Sequence, residues 1–98
     1  MGYILSQLAE EDIINIFLSG AERFGTELAE RYHARLEATF RFLADNPKAG
    51  PIRNEFTPEV RIHPTGSHLI IYRVEIDNEV FVIRIRHAHE DWQIQTLP

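Results

Sequence analysis

The sequence contains no cysteine, which excludes a disulfide framework, a thiolate metal site and a thiol nucleophile. A chain without cysteine fits a reducing compartment. Lysine is nearly absent too: Lys48 is the only one, so the remaining basic side chains are arginines and histidines. No stretch approaches the roughly 20 apolar residues that a membrane-spanning helix needs. Met1–Leu5 has no basic start, no long apolar run and no small-residue cleavage site, so a cytoplasmic location is expected. There is no phosphate-binding loop, no dinucleotide fingerprint and no glycine-rich nucleophile turn around Ser67. Repeats, linkers and low-complexity segments are also missing, and 98 residues fit a single domain spanning 1–98.

A surplus of positive charge is lacking as well. The net charge is −5, unevenly placed: residues 1–52 carry five basic and eight acidic side chains, whereas residues 53–89 carry five of each. Proteins that grip nucleic acid gain affinity by neutralising phosphates, so direct nucleic-acid binding is not expected from this balance. The content of 44% hydrophobic and 26% charged residues is that of a chain able to build a core.

What is present reads as an α+β domain. Residues 3–6 are mostly apolar and suggest a first strand, with Ser6 as the cap of a helix whose first turn is acidic (Glu10, Glu11, Asp12). Ala9, Ile13, Ile16 and Phe17 fall on one helical face, and Gly20 or Gly25 ends the helix. Thr26 is a candidate cap for a second helix. Its stripe is Leu28, Tyr32, Leu36, Phe40 and Leu43, and Asn46-Pro47 stops it. The two helices, about 8–46, should form an antiparallel hairpin. Residues 47–59, rich in proline and glycine, read as a loop, and strands are expected over about 60–88.

Alternation along the two longest strands places Ile70, Tyr72 and Val74 on one face with Phe81, Ile83 and Ile85, which should pack on the helices. The other face would carry Leu69, Ile71 and Arg73 with Val80, Val82, Arg84 and Arg86. No remaining helix is left to cover it, so this arginine-bearing side is the surface to search for function.

Several chemistries fit the residues near the C-terminus. His87 and His89 share a strand face, and a metal would need Asp91 or His63 as a further ligand. The neighbouring arginines would repel a dication, so no metal and no cofactor is expected. A histidine beside arginines also suits a ribonuclease that moves a proton while guanidinium groups stabilise the phosphorane. The plainer alternative is cross-strand pairing of Arg73, Arg84 and Arg86 with Glu75, Glu79 or Asp91. Ile14 and Leu18 on the first helix, and Ala38 and Phe42 on the second, lie off the main stripes. They suggest either deep burial or a second contact with a partner.

The ordered series Leu5–Ile13, Arg23-Phe24-Gly25 with Ala29 and Tyr32, Leu43–Pro47 with Gly50, Arg61, Ser67–Arg73 and Val82–His87 with Asp91 resembles the ParE-like toxins of the RelE/ParE toxin–antitoxin superfamily, over about residues 3–91. The resemblance implies a helical hairpin packed on one face of a small twisted antiparallel sheet. It also implies a toxin neutralised by a cognate ParD-like antitoxin that wraps it, and DNA gyrase as the target. RelE-like relatives instead cleave messenger RNA on the ribosome, typically with several lysines and arginines and a tyrosine near the C-terminus. Here Lys48 is the only lysine and no tyrosine follows Tyr72, which favours the non-catalytic branch. The expected target-binding residues are Arg61, Arg73, Arg84, Arg86, His87, His89 and Asp91. The expected antitoxin-binding residues are Ile14, Leu18, Ala38 and Phe42.

Overall fold

The computed structural model describes residues 2–54 and 59–88. Its elements are β1 (Tyr3–Leu5), α1 (Gln7–Phe24), α2 (Thr26–Asp45), β2 (Ile52–Arg53), β3 (Val60–Thr65), β4 (His68–Val74) and β5 (Val80–His87). The strands form one sheet in the order β1-β5-β4-β3-β2. The pairs from β2 through β5 are antiparallel, but β1 runs parallel to β5, so the sheet is mixed where a wholly antiparallel one was expected. β2 lies inside the segment read as loop.

Local chemistry explains the helix boundaries. Ser6 has extended backbone, and its Oγ accepts the Ala9 N–H at 2.9 Å, satisfying a donor that the first helical turn leaves over. Gly25 ends α1 and begins α2 at φ 95° and ψ 155°, a conformation open only to glycine. The bend is therefore one residue long. Thr26 is the first residue of α2 and not its cap. At the far end Asn46 closes α2 by donating its N–H to the Leu43 and Phe42 carbonyls.

The main core joins Ala9 and Ile13 of α1, Leu36, Phe40 and Leu43 of α2, and Ile70, Tyr72, Val80, Val82 and Ile85 of the sheet. Val80 and Val82 thus face the helices, opposite to the alternation read from the sequence. The reason is a β-bulge. Tyr72 pairs with Val82 but Ile71 pairs with Arg84, so Ile83 is an extra residue that resets the period of two. Phe81 and Ile83 join Val60, Ile62, Leu69 and Ile71 in a second cluster on the other side. Leu28, expected in the core stripe, is half exposed, in the first turn of α2 after the bend.

Tyr72 locks the loop after α2. Its hydroxyl accepts the Gly50 N–H at 2.9 Å and donates to the Pro47 carbonyl at 2.8 Å. Arg61 Nη1 donates to the Gly50 and Lys48 carbonyls at 2.8 and 3.3 Å. A Cβ on Gly50 would lie 2.8 Å from the Ile62 carbonyl oxygen and 2.9 Å from the Tyr72 hydroxyl, so the loop closes only with glycine there. Burial pushes the Tyr72 phenol up from its ordinary value, against the pull of the Gly50 N–H and Arg61.

Candidate functional site

β1 stops at Leu5, so the outer margin of β5 loses its strand partner after Val82. Groups at the start of α1 take over. Ser6 Oγ donates to the Ile83 carbonyl at 2.6 Å, and Asp12 Oδ2 accepts the Ile85 N–H at 3.0 Å. The same carboxylate receives Arg84 in a two-point grip, Nε at 2.8 Å and Nη2 at 2.9 Å, with Arg86 Nη1 at 3.9 Å. The side chains of Arg84 and Asp12 are only 12% and 11% exposed. A charge removed from water to this degree must be paired, and among the described residues Asp12 pairs it. This corrects the expectation that Arg84 stands on an uncovered sheet face: it is turned to helix α1 and holds the fold. Arg61 is likewise engaged with the loop after α2, where it was expected to meet a target.

Beside this ion pair lies an open groove of about 710 Å³, between the tip of the helical hairpin and the end of the sheet where β4 begins and β5 ends. Its apolar part is Ile16, Phe24, Leu28, Ala29 and Ile85. Arg23 comes from α1, Arg31 and Arg35 from α2, and Arg86 from β5. Four of the nine arginines in a chain of net charge −5 therefore line one concavity. Among the described residues, Asp12 is the carboxylate in the lining, and it accepts two hydrogen bonds from Arg84.

At the sheet end of the groove, Tyr32, His68 and His87 converge. The bulge makes this possible: past it His68 pairs with His87, and the two rings meet edge to face at 5.4 Å. The Tyr32 hydroxyl lies 2.5 Å from His68 Nδ1, and the Ser67 N–H donates to the same oxygen at 3.1 Å. With Nδ1 unprotonated, the hydroxyl donates to it. Burial pushes the Tyr32 phenol above its ordinary value, opposed by the Ser67 N–H and the charge of Arg35. Gly66 sits at φ 57° in the β3–β4 turn, and a Cβ there would come 2.6 Å from the Tyr32 hydroxyl.

Of the residues expected to meet a target, Arg86 and His87 reach the groove. Arg73 lies apart, with its guanidinium 4.8 Å from the Phe81 ring centre and Nε 3.3 Å from Glu75. His89 and Asp91 fall outside the described residues. Ile14 and Leu18 are 56% and 59% exposed, one turn apart on α1. Ala38 and Phe42 are exposed on α2, and the Phe42 ring lies 5.7 Å from His63. His33, whose ring meets Phe17 of α1 at 6.2 Å, marks the side of α2 that faces α1. Phe42 lies nine positions further on, about half a turn away in phase, so the two apolar ridges occupy different flanks. Arg23, Arg31, Arg35, His68 and Asp12 were not among the site residues expected from the sequence. The helical phase that puts Leu28, Arg31, Tyr32 and Arg35 on one side of α2 was legible. The pairing of His68 with His87 was not.

The arrangement is that of a known class. The fold matches a chain of the chromosomal ParDE toxin–antitoxin system from P. aeruginosa with a TM-score of 0.72, at 22% identity, over 89% of this chain and 95% of that one. That likeness shows a shared fold, a two-helix hairpin on a five-stranded sheet. Sequence relatives narrow the class. The chain is 32% identical over 89 residues to Toxin ParE1 of Mycobacterium tuberculosis, covering 91% of both chains. It is 33% identical over 85 residues to Toxin ParE1 of Caulobacter vibrioides, covering 87% of this chain and 86% of that one. The family described as the ParE toxin of the type II toxin–antitoxin system, parDE, matches residues 3–92. The chain belongs to the ParE toxin family.

Proposed function

We propose that the protein is the toxin of a type II pair, acting in the cytoplasm by binding and inhibiting DNA gyrase, and neutralised by a cognate ParD-like antitoxin. The observation that carries this reading is the match to the ParE toxin family over residues 3–92. Arg86 and His87, at the end of β5 and on the rim of the groove, are the proposed target contacts, together with Arg73 on its exposed patch. The ridges Ile14/Leu18 and Ala38/Phe42 are proposed to meet the antitoxin. Exposed apolar pairs one turn apart are the anchors that an amphipathic segment uses when it lies along a helix. Their placement on two flanks suits a partner that wraps.

The test is growth arrest on induction. Arg86→Ala and His87→Ala, made singly, are expected to weaken arrest while titration calorimetry finds antitoxin affinity kept. Arrest unchanged by both would move the target surface elsewhere. Undiminished supercoiling by purified gyrase at excess toxin would remove gyrase as the target. A second reading, ribosome-dependent cleavage of messenger RNA, has one observation in its favour: Tyr32, His68 and His87 form a group able to pass protons beside arginines. Cleavage on translating ribosomes that disappears in His87→Ala would place it first.

A further inference from the structure

We infer that the groove between the hairpin tip and the sheet end binds single-stranded nucleic acid, with arginines on the phosphates and aromatic rings against the bases. This goes beyond inhibition of a protein target and requires no cleavage.

The charge argument from the sequence averaged over the whole chain, and the fold undoes that average. Arg23, Arg31 and Arg35 come from two helices that meet at Gly25, and Arg86, whose side chain is 18% exposed with Nη1 3.9 Å from Asp12, borders them from the sheet. The carboxylate on the groove wall, Asp12, is neutralised by two hydrogen bonds from Arg84. Glu27 stands 3.7 Å from Arg31, but both side chains are more than two-thirds exposed, at 83% and 71%, and such a pair holds its members weakly. Among the described residues, arginines therefore outnumber carboxylates in the groove of an acidic protein. That balance favours an anionic ligand long enough to meet arginines from both helices.

The other component is aromatic. Phe24 is 68% exposed at the end of α1, an unfavourable place for a bare ring, and the Arg23 guanidinium lies 6.0 Å from its centre. At the opposite end of the groove stand the rings of Tyr32, His68 and His87. Cationic side chains interleaved with ring faces are the combination that holds an unpaired strand, because every base has a π-face and every linkage a negative charge. An acidic peptide would match the arginines but give the rings nothing to stack on. A duplex hides its base faces.

The experiment is fluorescence anisotropy of labelled oligodeoxythymidylate with the full chain, across a salt series. The expected result is binding that weakens with salt, with a slope of log K against log salt near −2 to −3 for three to four phosphate contacts at about 0.7 each. Arg31→Ala/Arg35→Ala should reduce that slope by about 1.4. Phe24→Ala should cost about fivefold or more in affinity through lost stacking. All three sites are exposed, so the variants should keep the circular dichroism and melting of the parent. Arg41→Ala, an exposed α2 position that does not line the groove, should bind as the parent does. Oligouridylate with the same salt slope and the same sensitivity to the variants would support the inference, since the chemistry read is shared. No binding to either strand, equal binding to duplex DNA, binding indifferent to Arg31, Arg35 and Phe24, or displacement by polyglutamate as readily as by oligonucleotide would overturn it. Growth arrest scored on the same variants separates this inference from the proposed function. Arrest that persists when oligonucleotide binding is lost leaves the toxin reading standing.

Discussion

At the scale of single residues, Asp12 is the side chain on which most depends. It accepts two hydrogen bonds from Arg84 and one from the Ile85 N–H, all on or beside the last third of β5. Removing one partner of a buried pair leaves the other charge uncompensated and costs about 3–5 kcal/mol. Asp12→Ala should therefore lower the melting temperature by about 12 °C or more in a domain of this size. Replacing both Asp12 and Arg84 with apolar side chains of similar volume should recover much of the loss, measured by thermal melts of the two single variants and the double. A double variant as unstable as Asp12→Ala would contradict the pairing argument. In the sequence, Asp12 looked like one of three acids in a first helical turn. Nothing local distinguished it from Glu10 and Glu11, because its partners lie more than 70 positions away. Tyr32 packs against the core from the α2 stripe and carries its hydroxyl out to the groove. The stripe fixes which way it points but not what its hydroxyl meets.

At the scale of elements, the two helices were legible because apolar residues recurring with a period near 3.6 fit a helix and do not fit a strand. Their junction was less so, since either glycine at 20 or 25 could end α1. Gly20 proves to be a contact point, with its place for a Cβ 3.6 Å from that of Ala29 on α2. Gly25 is the turn itself. Nothing lies within 4 Å of a Cβ built there, so the cost of substitution comes from the backbone. Gly25→Ala should lose about 1–3 kcal/mol. In a urea titration this would be seen as a lower midpoint at unchanged slope. An unchanged midpoint would mean that the bend relaxes into another conformation. The faces of β5 were misread because the bulge at Ile83 inverts the alternation for residues before it. No residue in that run is a glycine or proline that would announce a bulge. The two-residue strand β2 sits among prolines, and the parallel partner of β1 lies at the other end of the chain.

At the scale of the whole molecule, the fold class and the family were legible, because an ordered series of segments constrains more than any one of them. The candidate groove was not. Net charge is a sum over the chain, whereas a concavity depends on which arginines the topology brings together. Stability against pH is also a property of the whole domain. Tyr32 and Tyr72 have phenols raised above 10.0 in the folded state, mainly by burial. The folded state thus keeps protons that the unfolded state releases. Their contribution is fully present below about pH 10 and is lost as pH rises through the raised values. Unfolding free energy measured by denaturant titration should decline above about pH 10, and more gently in Tyr72→Phe than in the parent. The same decline in both would assign the effect to other groups. Tyr72→Phe should also lose about 1–3 kcal/mol at neutral pH, since the buried Gly50 N–H is left without its acceptor.

The sealed margin of β5 has a consequence for how copies of this protein behave in a crowd. An open strand edge invites the same edge of a neighbour, and the product is a fibre or an aggregate. Here Ser6 and Asp12 occupy the carbonyl of Ile83 and the amide of Ile85, so a second copy would find those two groups already taken. Two side chains at the start of one helix thus guard this margin against edge-to-edge pairing.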